Sequence, residues 1–388
     1  MKSLRFLLLT VAVTTAAVSA AAQGSNHGDG GPDGNYTALS ERLFNLENKH
    51  NNCNIFLNTS TAFQLDNYAG ELAGAFRAKH LRLEIKGSIG EHITYRLRHR
   101  LNAPNAGASL ESFSQATDFM MIGYRFNDRF TLMAGKMSQF WGGYDYDENP
   151  LYIYQYSDVL NCMEIFYGGV ALAWYPLPGQ EFVFNVSNSY NNSFADEYGP
   201  APAFSDGTAV QEADFPLSYI VNWNGTLLGG LVETRWGTGF INQAKGYKDW
   251  MILLGQKLLL PRFNVYFDWT GSWEQLDRLR MASRELGVPG YQKDVFYQSF
   301  IVKSNWQFAP QWNLMTKAMY DLASAPGYSN YRKAFGYAGA LEFFPVKDQD
   351  LRFFLSYIGY HRTFTLTTLP DQNTGRVELG IMYRIKAY

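Results

Sequence analysis

Residues 376–388 read RVELGIMYRIKAY. Val377, Leu379, Ile381, Tyr383 and Ile385 fall on one side of an extended chain, and Arg376, Glu378, Gly380, Met382, Arg384 and Lys386 on the other, because successive side chains of a strand point to opposite faces. One row is apolar, the other charged. A wall with lipid outside and water inside is built from strands of this kind. A soluble sandwich also alternates, so the rest of the chain has to decide.

Working back to Cys53, the same period predicts strands near 53–66, 74–87, 91–102, 113–126, 129–141, 164–175, 180–190 and 213–224. The second half adds 226–240, 247–260, 262–275, 293–308, 311–323, 332–346, 349–363 and 375–388. Connections from even to odd strands are tight: Ser88-Ile89-Gly90, Asn127-Asp128, Pro176-Leu177-Pro178-Gly179, Asn224-Gly225, Pro261, Ala309-Pro310 and Lys347-Asp348. Asn-Gly in particular suits a two-residue hairpin whose central residues both need positive φ. Odd-to-even connections are mostly longer, notably around 142–163, 191–212 and 276–292. Short turns at one end and long loops at the other are the pattern of outer-membrane barrels. The expected fold is therefore all-β, a closed transmembrane antiparallel β-barrel of about sixteen strands over 53–388, both ends on the short-turn side. Tyr388 gives an aromatic end but sits one step out of phase with Ile385.

Composition agrees. Aromatic residues make up 16% and charged residues 18%, against about 25% charged in ordinary soluble domains. Tyr and Trp would form belts at the two membrane interfaces. Beyond Gln23 no apolar stretch is long enough to cross as a helix, which leaves a closed barrel or a soluble exported protein. A net charge of −2 argues against a nucleic-acid partner, which calls for a basic excess. Cys53 and Cys162 lie far apart with no metal spacing around either, so neither a metal, a cofactor nor a disulfide is expected.

Ahead of the barrel, Lys2 and Arg5 precede an apolar run from Phe6 to Val18 and the small residues Ala20-Ala21-Ala22. That order is an export signal over 1–22, cleaved before Gln23. Residues 23–34 are rich in Gly, Asp and Asn, and 35–52 read NYTALSERLFNLENKHNN. There Tyr36, Leu39, Leu43, Leu46 and His50 recur at helical spacing, and such a stripe faces its symmetry mates in a coiled coil. So short a helix is marginal alone; the barrel would have to gather its copies. A helix resting on its own barrel, or a disordered lead, are the alternatives for this 23–52 segment.

The run FRAKHLRLEIKGSIGEHITYRLRHRL (76–101) resembles the second and third strands of the phosphate-selective porin O and P family. IGYRFNDRFTLMAGKMSQFWGGYDYDENP (122–150) is similar to the hairpin and constriction loop that follow in its gut-Bacteroidetes-like branch. The resemblance implies a sixteen-stranded trimeric channel for small anionic solutes in a Gram-negative outer membrane. It does not by itself imply phosphate specificity, since function resides in the site.

A turn at Ser88-Ile89-Gly90 would pair Gly87 with Glu91, setting His80 opposite Arg98 and Arg82 opposite Arg96. Leu81, Leu83, Ile85, Ile93, Tyr95 and Leu97 then face lipid. His80, Arg82, Lys86, Arg96, Arg98 and Arg100 face the lumen, interrupted by Glu84. Guanidinium donors in a narrow pore would draw in anions and replace their hydration. The plainer reading is a polar lumen whose bases are balanced by acids. Asp145, Asp147, Glu148 and Asp158 would lower any anion preference if their loop folds inward.

That loop, Trp141 to Met163, carries Trp141, Tyr144, Tyr146, Tyr152, Tyr154 and Tyr156, with Gly142-Gly143 permitting a sharp exit from the strand. The resemblance implies that it folds into the bore. Its tyrosines would then guide sugars by their apolar faces, or else simply pack on one another. Glu233, Arg235, Asp268, Lys317 and Asp321 also fall on lumen phases and mix both signs; no site follows from them.

Two other classes are weighed. A barrel hydrolase needs a serine, a histidine and an acid within reach. No Gly-x-Ser-x-Gly occurs, His80, His92 and His99 belong to the basic strands, and His361 has no serine motif beside it. No enzyme is expected. A structural or adhesive barrel would manage with fewer strands, whereas about sixteen enclose water. The expected partners are small hydrophilic or anionic solutes, outer-membrane lipid and two further copies of the chain.

Overall fold

The computed structural model describes residues 53–346, 349–366 and 368–387. The signal, the stub with Leu39, Leu43 and Leu46, the turn at Lys347-Asp348 and Tyr388 lie outside the described residues.

Sixteen strands close into one antiparallel barrel, each paired with its neighbours in sequence and β1 with β16. They are β1 (Cys53–Tyr68), β2 (Glu71–Ile89), β3 (Ile93–Arg100), β4 (Thr117–Asn127), β5 (Phe130–Ser138), β6 (Phe166–Trp174), β7 (Gln180–Asn188) and β8 (Leu217–Leu227). The circuit continues with β9 (Val232–Ala244), β10 (Tyr247–Leu260), β11 (Phe263–Leu276), β12 (Lys293–Ala309), β13 (Trp312–Ala325), β14 (Tyr328–Phe343), β15 (Leu351–Phe364) and β16 (Gln372–Lys386). No helix among the described residues is long and apolar enough to cross a membrane; the chain crosses with its strands.

The alternation in β16 is as expected. Leu379 is 62% exposed on the outer face while Glu378 between its neighbours is 0% exposed inside. Outward rings make the belts. Trp174, Phe182, Trp223 and Trp236 pack in series at 5.3 to 6.4 Å between centroids, and Tyr219, Phe240 and Trp250 at 4.9 and 5.5 Å.

Two turns differ from expectation. β8 runs through Asn224-Gly225 and reverses at Leu228-Gly229-Gly230, all three at positive φ. The glycine pair supplies the left-handed backbone more cheaply than Asn-Gly does, and Thr226 and Leu227 gain partners in Glu233 and Val232. The β2–β3 turn is Gly90-Glu91-His92, because Ile89 pairs with Ile93 and Ser88 with Thr94. Gly90 still provides the positive φ, at 62°.

That second difference re-registers the basic wall. Arg82 lies opposite Arg100, Glu84 opposite Arg98 and Lys86 opposite Arg96, not Arg82 opposite Arg96 or His80 opposite Arg98. Facing partners have shifted by four residues relative to expectation. An even slip keeps every side chain on its face.

Cys53 and Cys162 are both free thiols. Among the described residues, four short α-helical turns lie in the long loops: α1 (Tyr144–Asp147), α2 (Asp158–Cys162), α3 (Phe194–Tyr198) and α4 (Met281–Glu285). The first two occupy the bore. They carry the main internal core, where Tyr144, Val159 and Leu160 pack with Met251, Leu253, Tyr297 and Tyr331 of the wall.

Candidate functional site

One wall of the bore is cationic. Arg82, Lys86, Arg96, Arg98 and Arg100 all point inward, Lys86, Arg96 and Arg98 at 3% exposure, and Arg384 of β16 joins them near Glu84 at 3.9 Å. His80 lies beside the Arg82 guanidinium. Two carboxylates hold this array. Asp118 Oδ2 accepts from Arg82 Nε and Arg98 Nε, both at 3.0 Å, and its Oδ1 lies 3.2 Å from Arg100 Nε. Glu84 accepts from Arg96 Nε at 2.8 Å. Aromatic rings cover the guanidinium faces: Phe119 lies 4.1 Å from Arg96 and 4.6 Å from Arg98, and Phe56 lies 4.1 Å from Arg384. Such stacking leaves the N–H edges to face the lumen. Nη1 of Arg96 is buried without a hydrogen-bond partner among the described residues.

Neither Asp118, which falls out of the two-residue period, nor Phe119, which falls in phase with Met121, was singled out from the sequence. A bulge between Arg98 and His99, opposite Phe119 and Thr117, brings the two neighbours to the same face. A second bulge, where Ser60 pairs with His80 but Thr61 with Ala78, turns Lys79 inward onto Glu378 at 2.8 Å.

The connection between β5 and β6 folds inward. Gly142 and Gly143, at φ 82° and 77°, make the sharp exit that a Cβ would hinder. Its backbone then rests on bare wall: a Cβ on Gly237 would meet the Trp141 carbonyl oxygen at 2.0 Å, and one on Gly255 the Gly143 Cα at 2.9 Å. Asp268 of β11 accepts from the Tyr144 and Asp145 amides, both at 2.7 Å. It satisfies the open N–H groups at the start of α1, a task usually left to a local cap.

Each acid of the loop meets a base of the far wall. Asp145 pairs with Lys317 at 2.5 Å and accepts from Tyr266 at 3.0 Å. Asp147 lies 3.2 Å from Arg235, and Glu148 2.5 Å from Lys303. Asp158 bonds Arg332 and lies 3.5 Å from Arg362. The mixed charges of the second half, which suggested no site, are thus the seat of the loop.

The tyrosines are mostly packed away. Tyr152 donates to Asp350, and Tyr154 to Glu342 at 2.8 Å. Burial pushes the Tyr152, Tyr154 and Tyr156 phenols above their ordinary range, which keeps them neutral donors. Trp141, at 0% exposure, donates to Gln139 at 2.8 Å. Of the six aromatic residues expected to line the bore, Tyr146 and Tyr156 border the gap that remains.

That gap separates Arg96, Arg98 and Phe119 on the wall from Tyr146–Pro150 and Tyr156 on the loop, and encloses about 30 Å³. Guanidinium groups face this gap from one side. The carboxylates opposite are already engaged with lysine and arginine behind them.

Comparison with known proteins fits this geometry. The barrel superposes on the outer-membrane channel DcaP of Acinetobacter baumannii with a TM-score of 0.59 at 10% identity, covering 88% of this chain and 99% of that one. OmpT of Vibrio cholerae, in a structure described as a trimer form, gives 0.54 at 8% identity over 86% and 99%. Salmonella typhi OmpF in complex with daunomycin gives 0.54 at 10% over 86% and 97%. These likenesses concern the fold. Among curated protein sequences none matches this chain. The family model described as phosphate-selective porin O and P matches residues 54–385. The chain belongs to that family, and is a porin of the bacterial outer membrane through which small hydrophilic solutes diffuse passively.

Proposed function

We propose that this porin prefers small anions, phosphate among them, and works as a homotrimer with no catalytic role. One observation carries the preference: Asp145, Asp147, Glu148 and Asp158 are spent on Lys317, Arg235, Lys303 and Arg332. Bringing the loop into the bore therefore leaves the cationic wall at Arg82, Arg96, Arg98 and Arg100 in excess over Glu84 and Asp118. In a narrow, low-dielectric passage an uncompensated row of donors attracts anions and takes over their hydration. The sugar-guiding alternative loses support, since most loop tyrosines are packed and hydrogen-bonded.

For assembly, the trimer form described for OmpT and the stripe Leu39, Leu43 and Leu46 favour three copies. Residues 1–22 would be lost on export.

Reversal potential across a planar bilayer, in chloride, phosphate and a divalent organic anion in turn, tests the preference. We expect wild-type selectivity for anions and a shift towards cations in Arg96→Gln/Arg98→Gln. An unchanged reversal potential in that variant would remove the arginines from the explanation. A phosphate current no larger than that of other anions would remove phosphate as a special solute. Light scattering in detergent, with and without residues 35–52, reads the assembly.

A further inference from the structure

Arg332 sits on the inner face of β14, 5% exposed. Its guanidinium serves two loops at once. Nη1 bonds Asp158, the first residue of α2 in the constriction loop. Nε lies 2.9 Å from Glu285, the last residue of α4 in the connection 277–292. That connection lies at the long-loop end of the barrel, which faces outward from the cell in such proteins.

We propose that Arg332 is a positioning residue through which this outer loop holds the second half of the constriction loop. The inference rests on the inward loop being the constriction, as read above, but not on the anion preference.

The outer loop is firmly seated. Tyr297 accepts from the Ala282 amide at 2.8 Å and donates to Asp277 at 2.6 Å; Asp277 also accepts from the Ser283 amide at 2.6 Å. Tyr331 donates to the other oxygen of Glu285 at 2.9 Å. Apolar packing runs alongside: Val159 and Leu160 of α2 share a core with Met281 and Ala282 of α4.

The two halves of the constriction loop are thus held differently. In the first half, α1 and Glu148 are tied to strand residues Arg235, Asp268, Lys303 and Lys317, which are fixed by the barrel itself. In the second half, α2 is tied to strand residues too, Asp158 to Arg332 and Arg362 and its amide to Asp321, but here Arg332 is shared with a loop. Tyr156, two residues before α2, borders the gap opposite Arg96 and Arg98, so slack in α2 is felt at the passage. A coupling of ordinary size changes the population of a displaced state roughly 5- to 150-fold.

Steady single-channel recordings test this. Glu285→Ala leaves the Arg332–Asp158 pair in place and breaks the link between Arg332 and the outer loop. We expect brief current fluctuations to become roughly 5-fold or more frequent, with reversal potential unchanged because Arg96 and Arg98 are untouched. Glu285→Gln, which loses the charge facing Arg332 but still accepts from Tyr331, should restore part of the quiet current. Tyr331→Phe keeps its ring and loses the hydroxyl on Glu285; it should fluctuate to a smaller degree, and decides the matter if Glu285→Ala does not assemble. Currents as quiet as wild type in the released variant, or in Tyr331→Phe should that stand in for it, would overturn the proposal. A shifted reversal potential without added fluctuation would overturn it too, since the outer loop would then act on charge and not on position.

Discussion

Asp145 of α1 and Lys317 of β13 form a buried pair across the bore, 2.5 Å apart, with side chains 0% and 3% exposed. Lys317 also donates to the Gln155 carbonyl at 2.6 Å. One lysine therefore gathers two distant parts of the same loop onto the wall.

Removing one partner of such a pair leaves a charge buried without compensation, which costs about 3–5 kcal/mol. The loop can escape that cost by leaving its seat, which the barrel wall cannot do. Lys317→Met should therefore raise single-channel conductance while the barrel stays folded by heat-modified gel mobility. Lys317→Met/Asp145→Asn removes both charges and should return conductance most of the way to wild type. A single variant with wild-type conductance would mean the loop is held by its other contacts alone.

The seat itself was not readable beforehand. Lumen phases for Arg235, Asp268 and Lys317 followed from alternation, but which acid each would meet depends on where a loop of some twenty residues lands. Nothing in the sequence marks Gly237 and Gly255 as the strip of wall on which the loop backbone lies. The same limit explains the β2–β3 register. Slipping by four residues, an even number, preserves every face, so the apolar rows read correctly while the facing pairs did not. Bulges break the rule in the other direction, which is why Asp118, one residue out of phase with Met121, was overlooked. What alternation does determine is the wall, and Leu379 beside Glu378 remains its clearest sign.

Gly237→Ala tests the backbone contact. Its new Cβ would sit 2.0 Å from the Trp141 carbonyl oxygen, and neither group is the end of a flexible side chain. Overpacking of this sort costs about 1–3 kcal/mol. We expect a partly displaced loop, seen as higher conductance and as faster cleavage of the 139–165 segment by added protease. Wild-type values for both would show that the strand yields instead.

Asp118→Asn bears on selectivity from the opposite side. Arg82, Arg98 and Arg100 share this carboxylate, and each lost charged hydrogen bond costs roughly 1.5–3 kcal/mol. Refolding yield should fall. In channels that do assemble, reversal potential should move further towards anions, opposite in sign to the arginine substitutions. A shift towards cations would mean that the arginines need Asp118 to stay in the lumen at all.

The last prediction concerns the outer face. Lys136 pairs in register with Met120, whose side chain is 55% exposed towards the membrane, so its ammonium starts on the lipid side. It is nevertheless 2% exposed and bonded to Glu111, because the connection 101–116 folds over the outside of β5 and β6. Glu111 accepts from the Gly168 amide at 2.8 Å, and the Leu110 and Glu111 amides donate to the Asn191 carbonyl at 3.2 and 3.3 Å. Gly168 makes room for this, since a Cβ there would lie 3.2 Å from the Glu111 carboxylate. Glu111→Gln strands a buried ammonium, and should lower stability by about 3–5 kcal/mol, read as a drop in the temperature at which gel mobility changes. Lys136→Met alone leaves Glu111 stranded and should do the same. The double variant, with no charge to neutralise, should recover most of the loss. If both single variants melt at the wild-type temperature, water reaches the pair and the connection is not a closed flap.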